Sequence, residues 1–227
     1  MTGGVGIWGT ILAALRANRL PCVLLNVVVV ALVWSYYQWP QAAAMWEAVA
    51  EFRLRWSYGF SFFATILAAA VLPTGIQWLF GTLPPRGRLK RLVSLTVFWG
   101  YRGMEIDLLY RCQALLFGQG NDARTLAAKV AVDQFVYSAL WAVPTYAVAL
   151  RFIALGNSWR RTRESLGRKF WTRTYPTILV TNWLIWIPTV ALVYSLPGPL
   201  QFPLFSVVMC FFVLIVTLLA GVREREE

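Results

Sequence analysis

Histidine is missing from this chain of 227 residues. Its absence removes the commonest general base, the commonest zinc ligand and every His-dependent triad. Cysteine is scarce. Cys22, Cys112 and Cys210 make an odd set, no two stand at metal-ligand spacing, and all lie in apolar stretches. They read as buried small hydrophobes, and no metal site is expected. Charge is thin as well, at 14% of residues with only ten acidic side chains. Soluble domains carry about 25% charged residues. Glu105 and Asp107 are acidic side chains that could in principle do acid–base work. Arg neighbours at helical spacing hold them in the ionised form, and no phosphate-cradling loop accompanies them. The chain therefore reads as a non-enzymatic protein without a cofactor.

In place of charge there is apolar length. Residues of the AVILMFWYC set make up 59% of the chain, more than a water-facing surface accommodates. A membrane-spanning helix needs about 20 mostly apolar residues. On that scale six candidates stand out, at 21–38, 59–80, 93–117, 130–152, 176–196 and 201–221. The expected fold class is all-α, a polytopic transmembrane bundle. Residues 1–58 read as an N-terminal extension with the first span and an interfacial helix. Residues 59–222 read as the main bundle, and 223–227 as a charged cytoplasmic tail. The order of Arg16 and Arg19, an apolar run and Ala42-Ala43-Ala44 imitates a signal peptide. Nineteen residues precede that run, and Trp34, Tyr36, Tyr37 and Trp39 close it as an interfacial belt, so a retained first helix is expected.

The net charge of +11 is distributed with a pattern. Arg16 and Arg19, the segment 81–92 (Arg86, Arg88, Lys90, Arg91), the segment 153–175 (Arg160, Arg161, Arg163, Arg168, Lys169, Arg173) and the C-terminal Arg223 and Arg225 supply fourteen basic residues. With six spans all of these fall on one side. The other side holds four: Arg53, Arg55, Arg124 and Lys129. Positively charged loops stay on the cytoplasmic side, so both termini are expected there. The expected partners are the lipid bilayer and its anionic headgroups at 81–92 and 153–175. Assembly into a homo-oligomer is left open, and nucleic acid is not expected. A bacterial cytoplasmic membrane is favoured over an organelle inner or peroxisomal membrane.

Two segments have the pattern of surface helices. In 41–57, Met45, Val49, Phe52 and Trp56 share one helical face, while Glu47, Glu51 and Arg55 share another. In 158–171, Trp159, Leu166 and Phe170 oppose Arg160, Arg161, Arg163 and Lys169. Both suit docking at a membrane interface. Thr82 to Gly87 and Leu196 to Pro199 read as turns.

The third stretch carries Arg102, Glu105, Asp107, Arg111 and Gln113 where lipid is expected. A central charge costs about 2.5–3.5 kcal/mol on insertion scales, so these charges need compensation. Arg102 with Glu105 (i,i+3) and Asp107 with Arg111 (i,i+4) supply it. At about 100° per residue the two pairs point to nearly opposite faces. This helix is then expected to be enclosed by neighbours, with Gly100 and Gly103 permitting close approach. Further polar residues in apolar stretches are Asp133, Gln134 and Asn182. The seven residues Arg102, Glu105, Asp107, Arg111, Asp133, Gln134 and Asn182 are the candidate lining of a pore, or alternatively a polar network holding the bundle.

The order Asp133-Gln134, Trp141, Pro144, Trp159, Arg173-Thr174-Tyr175-Pro176, Leu179, Asn182-Trp183, Trp186 and Pro188 resembles the Mpv-seventeen / small peroxisomal membrane protein family. The likeness covers about 60–222 and is densest over 129–190. Pro144, Trp159, Tyr175, Pro176, Trp183, Trp186 and Pro188 occupy the motif's structural positions. Gly75 and Gln77 stand near the family's Gly-Asp…Gln motif, whose Asp is missing here. Ala191 stands for the family's Gln, and Tyr194-Ser195 for its Asn-Phe. The resemblance implies a small integral membrane protein of several helices, and some family members form pores for small solutes. A channel is thus the leading expectation, with a non-conducting structural or assembly protein as the alternative.

Overall fold

The computed structural model describes residues 7–81, 87–120 and 122–226. Residues 82–86 of the turn expected at 82–87, with Arg86, lie outside them, as does Glu227 of the expected tail. Among the described residues the chain is helical and contains no strand. The helices are α1 (Ile7–Gln38), α2 (Pro40–Trp56), α3 (Tyr58–Leu79), α4 (Arg88–Phe117), α5 (Ala123–Ala154), α6 (Trp159–Ser165), α7 (Phe170–Tyr194) and α8 (Gly198–Glu226). Five of them are long and apolar enough to cross a membrane: α1, α3, α5, α7 and the Gly198–Ile215 part of α8. The third candidate of the sequence reading, α4, is long enough at 30 residues. Its charges keep it out of that set.

Helix bounds differ from the sequence reading where apolarity is a poor guide to backbone. Helix α1 starts well before 21, because Ile7–Leu20 is rich in the helix formers Ala, Leu and Arg although Arg16, Asn18 and Arg19 interrupt its apolarity. Helix α6 stops at Ser165 rather than near 171. Phe170 belongs to the first turn of α7 and is buried. The break falls at Leu166-Gly167, and glycine is a poor helix continuer.

The centre of the bundle is α8, which touches α1, α2, α3, α4 and α7. Phe202, Leu204 and Val208 are wholly buried there. Helix α3 packs along α4, and α1 along α7. Leu25 and Val29 of α1 and Trp46 and Ala50 of α2 join the same core cluster as Tyr194 and Leu204. The N-terminal extension is therefore built into the core. Helix α4 is not enclosed on all sides. Val93, Val97, Tyr101, Leu108 and Leu115 leave it with an exposed apolar flank. Neighbours meet its charges laterally instead.

Close approach of α3 and α4 depends on glycine. A Cβ at Gly103 would lie 2.3 Å from both Ser61 O and Thr65 Oγ1, and one at Gly100 would lie 2.4 Å from the Phe62 ring. Helix α2 buries Trp46, Ala50 and Arg53 and leaves Met45, Phe52 and Trp56 exposed. The apolar face read from the sequence thus points outward, and a second face grips the bundle.

Prolines shape the backbone. Three stretches are wound in the wider π register: Leu67–Val71, Val132–Ala142 and Phe170–Thr174. Each is followed within two residues by a proline, at Pro73, Pro144 and Pro176. A proline ring collides with the carbonyl one turn earlier, and a wider turn relieves the collision. The missing N–H also leaves a carbonyl without its partner. In the register Val143 N–H to Ser138 O, Pro144 abandons Ala139 O, and the Tyr175 hydroxyl donates to it. Pro188 abandons Leu184 O, one turn earlier, and the Cys22 thiol donates to it at 3.3 Å. Pro203 abandons Pro199 O, and Arg53 Nη1 reaches it at 3.4 Å. Neighbouring helices thus restore what proline removes, as apolar surroundings require. Cys22 is a donor here rather than a buried hydrophobe. It and Cys210 are half-buried, and Cys112 is exposed.

Candidate functional site

Three polar clusters surround α4. The first joins α2, α3 and α4. Asp107 is fully buried and receives Arg53 from α2, the Ser61 hydroxyl at 2.7 Å and Arg111 at 3.2 Å. Arg111 also donates to Ser57 Oγ at 3.1 Å and lies over the Tyr58 ring. The sequence spacing identified Arg111 as the partner of Asp107. It missed Arg53, which falls in the expected interfacial helix among the four basic residues of the second side and is 5% exposed. Nothing local to the sequence links residues 54 positions apart.

The second cluster joins α4 to α5. Arg102 Nη1 donates to Glu105 Oε1 at 2.6 Å. Arg102 Nη2 donates to Ala142 O at 3.0 Å and Thr145 Oγ1 at 2.6 Å. Tyr137 and Trp141 also donate to Glu105 Oε1. The two charge pairs of α4 therefore engage different neighbours, in keeping with the helical angle between them.

The third cluster is built on Asp133, 5% exposed. Gln134 Nε2 donates to one carboxylate oxygen at 2.8 Å, and the Tyr194 hydroxyl donates to the other at 2.7 Å. Gln113 Nε2 donates to Tyr194 Oη at 3.2 Å and to Lys129 O at 3.0 Å. Asn182 Nδ2 donates to Gln134 Oε1 at 3.5 Å, and Trp183 Nε1 to Gln134 O at 2.9 Å. The wide turn of Val132–Ala142 puts the successive residues Asp133 and Gln134 both in the interior. Among the described residues Asp133 has no ion-pair partner.

A partly open cavity of about 280 Å³ lies beside these clusters, between α1, α4, α5, α7 and α8. Four of the seven predicted lining residues border it: Arg102, Asp133, Gln134 and Asn182. Glu105, Asp107 and Arg111 do not; the side chains they bind turn them toward α2, α3 and α5. Most of the lining is aromatic or aliphatic. Its aromatic character was not read from the sequence, because the rings come from four different helices.

The motif residues also have defined places. Tyr175 repairs the break at Pro144, Trp183 ties α7 to Gln134, and Trp186 stacks near Phe205 and Phe212 at 5.7 and 5.6 Å. Trp159 is exposed beside Phe152. Among the described residues no group of His, Cys, Asp and Glu could hold a metal ion. No protein-family model, curated protein or solved structure matches the chain.

Proposed function

We propose that this chain is a six-span integral membrane protein, a distant relative of the Mpv-seventeen family, and that its cavity is a station through which a small solute passes. The observation that carries this reading is the cavity bordered by Asp133, Gln134 and Asn182. A concave space between packed helices with a few convergent polar groups is the usual form of a ligand site. Ionisable groups within a spanning bundle mark solute paths more often than not. The carboxylate and the two amides replace hydration lost on entry. The exposed apolar flank of α4 supports counting it as the sixth span. In that topology the basic segments and both termini are cytoplasmic, with a bacterial cytoplasmic membrane as the favoured setting.

Reconstitution tests the reading. Purified protein in liposomes is expected to pass small solutes graded by size and charge, and Asp133→Ala to change that flux. Silence of the wild type, with the variant indistinguishable, overturns it.

One observation favours a second reading, a non-conducting structural protein. The four charges in the middle of α4, Arg102, Glu105, Asp107 and Arg111, are closed into pairs within the bundle. On that reading, Asn182→Ala lowers stability in detergent by about 0.6 kcal/mol, the average for an interhelical hydrogen bond, and no flux is seen with either protein.

A further inference from the structure

The charges around the cavity do not cancel. Arg102 borders it, but its guanidinium is bound to Glu105, Ala142 O and Thr145. The Arg102–Glu105 pair sums to zero. Asp133 borders the cavity as well, and its only partners among the described residues are the neutral Gln134 and Tyr194. Lys129, one turn earlier, is not within ion-pairing distance of it. The local sum is one negative charge.

The walls are suited to the opposite sign. Trp99 of α4 and Tyr146 of α5, 5.9 Å apart, form one aromatic group of the lining. Trp186 of α7 with Phe205 and Phe212 of α8 forms a second. Aromatic faces attract cations through their quadrupole, most strongly where water is excluded. A strongly hydrated metal ion needs several oxygen ligands, and among the described residues Asp133 is the only carboxylate lining the cavity. A cation whose charge is clothed in carbon needs no such shell.

We infer that the cavity takes a small organic ammonium ion, with Asp133 as its counter-charge and the two aromatic walls as its cage. The inference rests on the cavity being a solute site, and it names the class of solute. Asp133 acts as a fixed charge, Gln134 and Tyr194 hold its orientation, and the Arg102–Glu105 pair keeps the guanidinium from competing.

The test uses the full chain in lipid nanodiscs, with radiolabelled tetraethylammonium as the probe. Saturable binding is expected, uncompeted by ethanesulfonate or by neutral diethylacetamide. Asp133→Asn keeps the side chain's shape and is expected to weaken binding at least about tenfold; Trp186→Leu, which removes one wall, is expected to weaken it about three- to tenfold. Equal competition by the sulfonate or the amide overturns the inference, as does binding unchanged in Asp133→Asn. Should Asp133→Asn not fold, the competition experiment and Trp186→Leu decide. Liposome flux of tetraethylammonium and of ethanesulfonate, permanent ions that lipid alone retains, in parallel separates the two readings. Flux without ammonium binding overturns the solute class and leaves passage standing. Ammonium binding without flux of any solute overturns passage and leaves the binding site standing.

Discussion

Three side chains converge on Asp107, two of them cationic. It neutralises Arg53 and answers Arg111, and it is wholly buried. Removing one partner of a buried ion pair costs about 3–5 kcal/mol, because the other charge is left without compensation. Asp107→Asn is therefore expected to destabilise by that order, measured as unfolding in detergent. Gly103 is nearly as constrained. Gly103→Ala puts a methyl 2.3 Å from Ser61 O, and the loss should reach at least about 3 kcal/mol, the upper range for overpacking. Cys22 makes a subtler case. Its thiol serves Leu184 O across the α1–α7 contact. Cys22→Ser should keep that bond and much of the stability, whereas Cys22→Ala should lose about 1 kcal/mol; thermal midpoints of the two variants check this. The sequence disclosed Gly103 as a close-approach site and Asp107 as a charge needing an answer. It could not disclose Cys22, because the carbonyl it serves becomes unpaired only through a proline 166 positions away.

At the scale of elements, helix α2 has two contrasted faces. Its apolar residues Met45, Phe52 and Trp56 face outward, while Arg53 is inserted between α4 and α8. Arg53→Leu should loosen this helix selectively. Hydrogen exchange is expected to rise across 40–56 and to change little across Ala123–Ala154. A uniform rise along both helices would contradict that division. The entry to α5 depends on Asp122, whose carboxylate accepts from the backbone N–H groups of Arg124 and Thr125 at 3.1 Å. The Thr125 side chain, with these amides, holds the carboxyl below its usual range. A lowered folded-state value means the cap contributes above the ordinary carboxylate range and is lost as pH falls through the lowered value. Element type was legible throughout from apolar length. The π turns were not, although each stands directly before a proline the sequence displayed. A proline reports that backbone must adjust, and the packing around it decides how.

At the scale of the whole molecule, contacts sort the helix ends into two groups. Lys90 donates to Gly156 O at 2.9 Å and Asn157 to Ser94 at 2.6 Å, so the two basic segments share one end of the bundle. Tyr37 donates to Ser195 O at 2.8 Å, Arg111 meets Ser57, and Gly198 abuts Gln119 at the other end. Exposed Trp8, Trp78 and Trp159 mark the first end; Trp34, Trp39 and Trp56 mark the second. Interfacial aromatics form two such belts. With Arg53 withdrawn into the core and Lys129 buried, only Arg55 and Arg124 of the four basic residues assigned to the second end remain exposed. The charge asymmetry is thus steeper than the sequence count. In a background with Cys22→Ser, Cys112→Ala and Cys210→Ala, cysteines placed at Gly87 and Gly156 should react with an impermeant reagent from one side, and one at Gly120 from the other. Labelling of residues 87 and 120 from the same side would show that α4 does not cross. Much of this plan could be read from loop charge and apolar runs. The helix that fills the middle could not, since the last two spans look alike in composition and only packing distinguishes them.

The central place of α8 has a consequence for biogenesis. Translation delivers this helix after the five that are to pack against it. Until it arrives, the partly inserted chain has a vacant axis, with Arg53, Tyr110 and the flank of α3 facing a gap that lipid or an insertase must occupy. The ring closes only when its hub is threaded, so quality control of this protein is expected to act on α8.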